Sequence, residues 1–180
     1  MRHPRVAVAL LSSLLVFVTG CAVGWNHTSD ASLERHFSRH QTQFEALRAE
    51  VQADSQLTTL QPRAIIYAGK RVEVRDGDLT ELERLGLTRE RWEHYQKELE
   101  DLGLAGVMKG DSDIEFRIDS GSLLNGDSYK GYWYGSTAPY RVRDSLDGYR
   151  CSDRDKDKFG NWGVCKPLKR NWYVYLFVNG

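Results

Sequence analysis

Residues 172–178, Trp-Tyr-Val-Tyr-Leu-Phe-Val, constrain the fold more than any other stretch. In an extended chain successive side chains point to opposite sides, so Trp172, Val174, Leu176 and Val178 share one face and Tyr173, Tyr175 and Phe177 the other. A strand that is apolar on both faces has to be covered on both. The segment therefore predicts a central strand, with other parts of the chain packed above and below it.

Further strands follow from the same period. Residues 63–67 and 71–75 read as a hairpin turning at Gly69-Lys70, and 104–109 as a short strand. Ile114, Phe116 and Ile118 alternate with Glu115, Arg117 and Asp119, Asn125-Gly126 marks a turn, and 128–135 is a strand rich in aromatics. Helical spacing appears over residues 30–54, where Leu33, Phe37, Phe44, Leu47 and Val51 form a narrow stripe with His40 in its one gap and Asp30 as the expected N-cap. A stripe of this kind packs on the chain's own sheet; the alternative, a coiled-coil seam to a partner, asks for more sustained heptads. Asp78 and Glu81 start a short helix carrying Leu79, Leu82 and Leu85, stopped by Gly86. Residues 88–102 make another, with Trp92, Tyr95, Leu99 and Leu102 on one side and Gly103 as a C-terminal cap. The expectation is an α+β domain: an antiparallel sheet of about five or six strands, helices on one face, and a long N-terminal helix packed across it.

The first residues belong to none of this. Arg2, His3 and Arg5 precede an apolar run, residues 6–18, broken only by Ser12 and Ser13. That is the layout of a secretory signal, and the run is short of the ~20 residues a membrane-spanning helix needs. Its end, Val18-Thr19-Gly20-Cys21, resembles the lipobox of bacterial lipoproteins. The resemblance implies that residues 1–20 are removed, that the Cys21 thiol is lipidated, that residues 21–29 form a lipidated Cys with a short tether, and that 30–180 make one domain. It also implies a stable anchor, since a lipoprotein Cys carries several acyl chains. Ala22, in place of Asp, implies the periplasmic face of the outer membrane. An ordinary signal peptide leaving a free Cys21 is the alternative.

Cysteine arithmetic runs with that resemblance. The chain has three Cys, and an odd one in an exported protein needs an explanation. With Cys21 acylated, Cys151 and Cys165 remain as a pair. In an oxidising compartment a bridge between them is expected to order the polar loop it closes, stabilising by about 3 kcal/mol; two independent thiols are the alternative.

Chemistry is harder to find. Basic and acidic side chains balance at 25 each, which gives no footprint for nucleic acid. His36 and His40 lie one helical turn apart, but Phe37 stands where a zincin needs Glu. Asp153, Asp155 and Asp157 begin like a calcium loop, which Lys158 and Val164 then break. Gly126-Asp127-Ser128-Tyr129-Lys130-Gly131 resembles a nucleophile elbow with its second Gly one residue late. No catalytic residue, metal site or cofactor is assigned. The aromatics Tyr132, Trp133, Tyr134 and Trp162 are the candidate surface for a glycan or an envelope protein, set against their use as core and cross-strand pairs.

Leu85-Gly86-Leu87-Thr88 with Trp92 and Tyr95, then Lys130-Gly131-Tyr132 and Asn171-Trp172-Tyr173, is similar to patterns in small uncharacterised bacterial proteins. That resemblance implies a shared fold and carries no activity. The expected function is thus an outer-membrane-anchored periplasmic lipoprotein, a non-enzymatic envelope interaction or binding module. The alternative is an envelope hydrolase or inhibitor acting on cell-wall or protein substrates.

Overall fold

The computed structural model describes residues 27–75, 77–123 and 126–179. Helix α1 (Asp30–Ala53) leads into strands β1 (Leu57–Gln61), β2 (Ala64–Tyr67) and β3 (Lys70–Glu73). Helices α2 (Thr80–Arg84) and α3 (Arg89–Asp101) follow, then β4 (Gly106–Lys109), β5 (Ile114–Leu123), β6 (Gly126–Tyr134), β7 (Arg141–Val142), β8 (Trp162–Lys169) and β9 (Trp172–Val178). The strands form one sheet in the order β3-β2-β1-β4-β5-β6-β9-β8-β7.

That architecture corrects the expected sheet of five or six antiparallel strands. Among the described residues there are nine, the sheet is mixed because β7 runs parallel to β8, and strand outweighs helix, with the described helices beginning at Asp30. The extra strands are those whose composition argues against them. β1 is Leu-Thr-Thr-Leu-Gln directly after a helix, β7 has two residues, and β8 contains Gly163 and Pro167. Pro167 is tolerated because β8 pairs with β9 there, while β7 reaches only Val164 and Cys165, so the missing N–H faces no neighbour.

Local chemistry accounts for the elements. Ala68 and Gly69 both have positive φ, 50° and 74°, making the two-residue turn that joins β2 to β3. Ser29, not Asp30, caps α1, its Oγ accepting from the Ser32 N–H at 3.3 Å. Thr88 caps α3 in the same way. At the other end of α1, the Lys109 ammonium donates to the carbonyls of Val51 and Asp54 at 3.2 and 2.6 Å, a cation where the helix dipole wants one. His40 leaves the helical region at φ −112°, ψ 15°, so the gap in the apolar stripe is also a kink.

All five apolar stripe residues of α1 are buried. Phe37 meets Trp172, and Phe44 meets Phe116 and Tyr132, with ring centroids 4.9 to 5.8 Å apart. Trp92, Tyr95 and Leu99 of α3 belong to the same continuous core. α1 therefore packs on its own sheet. β9 lies between β6 and β8, and its two apolar faces are used as its sequence demands: Trp172, Val174, Leu176 and Val178 in the helix-side core, and Tyr175 fully buried on the other side. Among the described residues no helix is long and apolar enough to cross a membrane.

The expected bridge between Cys151 and Cys165 is not formed. Cys165 is a free, buried thiol donating to the Tyr140 carbonyl at 3.2 Å, and burial pushes its pKa up. Alternation along β8 is the reason: Val164 faces the helices, Cys165 the opposite side, and Cys151 packs against the helix-side core. An ion pair holds the loop between them. The buried Asp155 carboxylate takes Arg143 Nη2 at 2.9 and 2.8 Å, one contact to each oxygen, and the Tyr149 hydroxyl at 2.9 Å. Asp157 turns away to accept from the backbone of Phe159 and Asn161, so these carboxylates do not converge on one ion.

Candidate functional site

Two polar constructions stand on the central strands, one on each face. The first fastens the start of the described chain to the sheet. Its origin is a β-bulge in β5 between Arg117 and Asp119, which Gly131 of β6 permits: a Cβ there would lie 2.0 Å from the Phe116 carbonyl oxygen. The bulge breaks the alternation expected for residues 114–119. Asp119 becomes the partner of Lys130 and faces the helices, rather than joining Glu115 and Arg117.

There Asp119 binds His27 Nδ1 at 2.5 Å and accepts from the Thr28 N–H at 2.8 Å, while His27 Nε2 lies 2.8 Å from Ser128 Oγ. Burial alone would raise the Asp119 carboxyl, but the bonds from His27 and Thr28 outweigh it and hold it below its ordinary value. Beside it Lys130, 2% exposed, lies 2.8 Å from Asp30 and 3.0 Å from Asp147. Asp30 also accepts from the Leu146 N–H at 2.7 Å and the Ser145 hydroxyl at 3.0 Å. Desolvation pushes the Asp30 carboxyl up, yet Lys130 and the Leu146 N–H pull it down further, so it is held below the usual range.

Ser128, His27 and Asp119 stand in the order of a hydrolytic relay. Ser128, however, is 1% exposed within the β6–β9 ladder, which closes it to an incoming carbonyl group. Its arrangement serves to seat the chain.

The second construction covers the opposite face. Glu115 and Arg117 of β5, Trp133 of β6, and Tyr175 and Phe177 of β9 project there. The Tyr175 hydroxyl and Arg117 Nε both donate to Glu115 Oε1, at 2.5 and 2.7 Å, and the Arg117 guanidinium lies 4.2 Å above the Tyr129 ring. Burial, reinforced by the Glu115 charge, pushes the Tyr175 hydroxyl well above its ordinary pKa, so it stays protonated and remains a donor. Tyr140 folds back over this layer, stacked on Phe177 at 5.8 Å. Gly163 makes room for it, since a Cβ there would lie 2.2 Å from Tyr140 Cδ1.

Where residues 135–140 leave the sheet, a cavity of about 270 Å³ opens between Asp113, Trp133 and Tyr140, with Ser136 and Thr137 on its wall. Gly135 is the spacer: a Cβ on it would sit 2.7 Å from Trp133 Nε1 and 3.3 Å from Asp113 Cβ, so the indole and the Asp113 methylene flank one point, while the carboxylate turns toward Gly110, where a Cβ would lie 2.3 Å from its Oδ1. Desolvation, then the charges of Asp111 and Glu115, push the Asp113 carboxyl above its ordinary pKa.

Of the four aromatics read as a possible surface, Trp133 alone lines this cavity. Tyr132 is wholly buried, donating to the Leu33 carbonyl at 2.9 Å, so His36 Nδ1, also at 2.9 Å, must be the donor to it. Tyr134 lies on the helix side beneath the Arg48 guanidinium, and Trp162 is half-buried against the core beneath Lys156. His40 bonds Gln43. Sequence reasoning missed Asp113, Gly135 and Tyr140. The signal available was Gly-Ser-Thr-Ala-Pro-Tyr, small residues ending in an aromatic directly after an aromatic strand. Cys21 lies outside the described residues. Comparison of the chain with protein-family models, curated proteins and solved structures returned no match, so residues and geometry alone carry the functional reading.

Proposed function

We propose that this chain is an envelope lipoprotein, acylated at Cys21 and held at the periplasmic face of the outer membrane, whose domain is a non-enzymatic binding module. The observation that carries the reading is the seat of His27. With His27 tied to Asp119 and Ser128, only residues 22–26 separate the lipobox cysteine from the sheet. Six steps of at most ~3.5 Å span about 21 Å, so the domain stays close to the bilayer. The seat lies toward the β5–β6 turn, whereas the cavity lies at the other end of those strands, six residues and roughly 20 Å away along β5. The anchor thus turns the cavity away from the lipid. The outer-membrane assignment rests on Ala22 and on the resemblance to lipoproteins.

Two chemistries compete for the Cys21 sulfur now that Cys165 is sequestered: acylation, or a disulfide to Cys151. A sulfur in a thioether cannot also be in a disulfide. Fractionation of wild type and Cys21→Ser, with mass spectrometry of the peptide carrying residue 21, separates them. The expected result is an acylated N-terminal Cys21 and release of the variant from membranes. A Cys21→Ser protein that still sediments with membranes, or a peptide linking Cys21 to Cys151, overturns the anchor. The hydrolase reading has one observation on its side, the order of Ser128, His27 and Asp119. It predicts fluorophosphonate labelling of the intact protein that is lost in Ser128→Ala; burial of Ser128 leads us to expect no labelling.

A further inference from the structure

We infer that the turn at residues 157–160 is a second membrane contact, docking Phe159 and its flanking lysines onto the bilayer that holds Cys21. The inference rests on the anchored reading of the chain and goes beyond it, since a tether alone leaves the domain free to tumble beside the lipid. Sheet register places the turn. Ser128, which holds His27, pairs with Val178, and Val178 pairs with Trp162. Those three residues form one row across the sheet, so Trp162 stands two strand spacings, or about 10 Å, from the seat of the tether. From that row β8 runs toward the cavity end, reaching Lys169 opposite Trp172, which pairs with Tyr134. An antiparallel bridge from Lys156 to Trp162 closes a hairpin at the other end. Residues 157–161 therefore lie beyond the row, at the end of the sheet that the tether brings to the lipid.

The hairpin is built to present one ring. The Asp157 N–H donates to the Asn161 carbonyl at 2.7 Å, and Asp157 Oδ1 accepts from the backbone of Phe159 and Asn161 at 2.8 and 2.9 Å. Gly160, with φ 94°, supplies the left-handed residue that completes the turn. Held this way, Phe159 is 76% exposed, more than any other large hydrophobic among the described residues. A turn that is already ordered docks without losing conformational freedom. The Lys158 ammonium lies 4.9 Å from the centroid of the Phe159 ring. That pairing suits a membrane interface, where the ring enters the boundary between headgroups and acyl chains while the lysine stem reaches back to the phosphates. Charge at the tip agrees. Arg154, Lys156 and Lys158 are exposed, whereas Asp155 is buried against Arg143 and Asp157 is engaged by the backbone. Exposed cations of this kind are drawn to anionic headgroups. A protein partner would also bury the ring; the bilayer is favoured because the tether keeps it within reach.

The full-length lipidated protein, ¹⁵N-labelled and inserted in nanodiscs of phosphatidylethanolamine and phosphatidylglycerol with a trace of nitroxide-headgroup lipid, provides the test. The readout is paramagnetic broadening of backbone amides. Phe159 and Gly160 should broaden strongly, Thr28 at the seat as well, and Ser136 at the cavity end not at all. Read at Gly160, Phe159→Ser should lower the ratio of docked to undocked molecules by about tenfold, the scale of burying part of an aromatic side chain. Lys156→Gln and Lys158→Gln should each lower it about fivefold. Amides of Phe159 and Gly160 that stay sharp while Thr28 broadens would overturn the docking and leave the anchor standing. Gly160 broadening that is unchanged in Phe159→Ser would overturn it as well, because nearness would then come from the tether without contact. A protein that elutes apart from the discs overturns the anchored reading itself, and the docking with it.

Discussion

Lys130 and Trp133 are three residues apart on one strand and project from opposite faces, where the sheet deals with polarity in opposite ways. On the helix side, the buried Lys130 ammonium has two carboxylates within 3.0 Å, and those carboxylates are themselves tied to α1 and to the backbone at Leu146. On the other side an aromatic layer is covered by a loop, and desolvation and the like charges of Asp111 and Glu115 push up the carboxyl of Asp113 at its margin. Two helices with apolar stripes can close a face completely. Six loop residues, Gly-Ser-Thr-Ala-Pro-Tyr, cannot, and the cavity is what they leave open.

The contrast can be broken most severely at Lys130. Replacing it with Met keeps most of the volume but strands Asp30 as an uncompensated buried charge, so Lys130→Met should lose about 3–5 kcal/mol of stability in a urea titration. A loss under 1 kcal/mol would mean that water reaches the pair. Next in size is Gly163→Ala, whose new Cβ would overlap the Tyr140 ring near its root. Expelling that ring should cost about 1–3 kcal/mol, and near-ultraviolet circular dichroism should register the altered aromatic layer, while the helix-side core stays intact.

Acid titration should tell the faces apart by sign. Asp30 and Asp119 are held below the ordinary carboxylate value, so their stabilisation is complete above the unfolded-state pKa near ~3.9 and disappears as pH falls through the lower folded-state values. Asp30→Asn should therefore flatten the acid limb of a plot of stability against pH. Asp113 is shifted the other way: the folded protein holds its proton more firmly than the unfolded chain, so stability is lost as pH rises through the raised value. Asp113→Asn should accordingly raise neutral-pH stability slightly, by ~0.5 kcal/mol or less given solvent screening. A destabilised Asp113→Asn protein would show that this carboxylate supports the fold, and would remove the contrast between the faces.

How much of this was legible in the sequence differs by region. The helix-side core was readable almost residue by residue, because Leu33, Phe37, Phe44, Leu47 and Val51 repeat with the helical period and Trp172, Val174, Leu176 and Val178 with the strand period. The cavity was not. Trp133 was visible as an aromatic, but it stood in the same run as Tyr132 and Tyr134, and strand alternation sends those two into the core side. Tyr140 and Asp113 lie outside any periodic segment, and their meeting depends on how the chain leaves β6 and enters β5. The seat of His27 was hidden for a sharper reason. One extra residue in the bulge reverses which face Asp119 occupies, and no local pattern announces it.

Taken alone, the residues determine the periods, the apolar two-faced strand at 172–178 and the lipobox-like end of the first segment, because each depends on neighbours within a few positions. Only the tertiary structure decided that Cys165 lies across the sheet from Cys151, that Lys130 is a buried cation, and that Tyr140 rests on Gly163. Those outcomes turn on strand register and on one bulge. Side-chain parity along a strand holds only until an inserted residue resets it, and which residues then face each other is a property of the whole sheet.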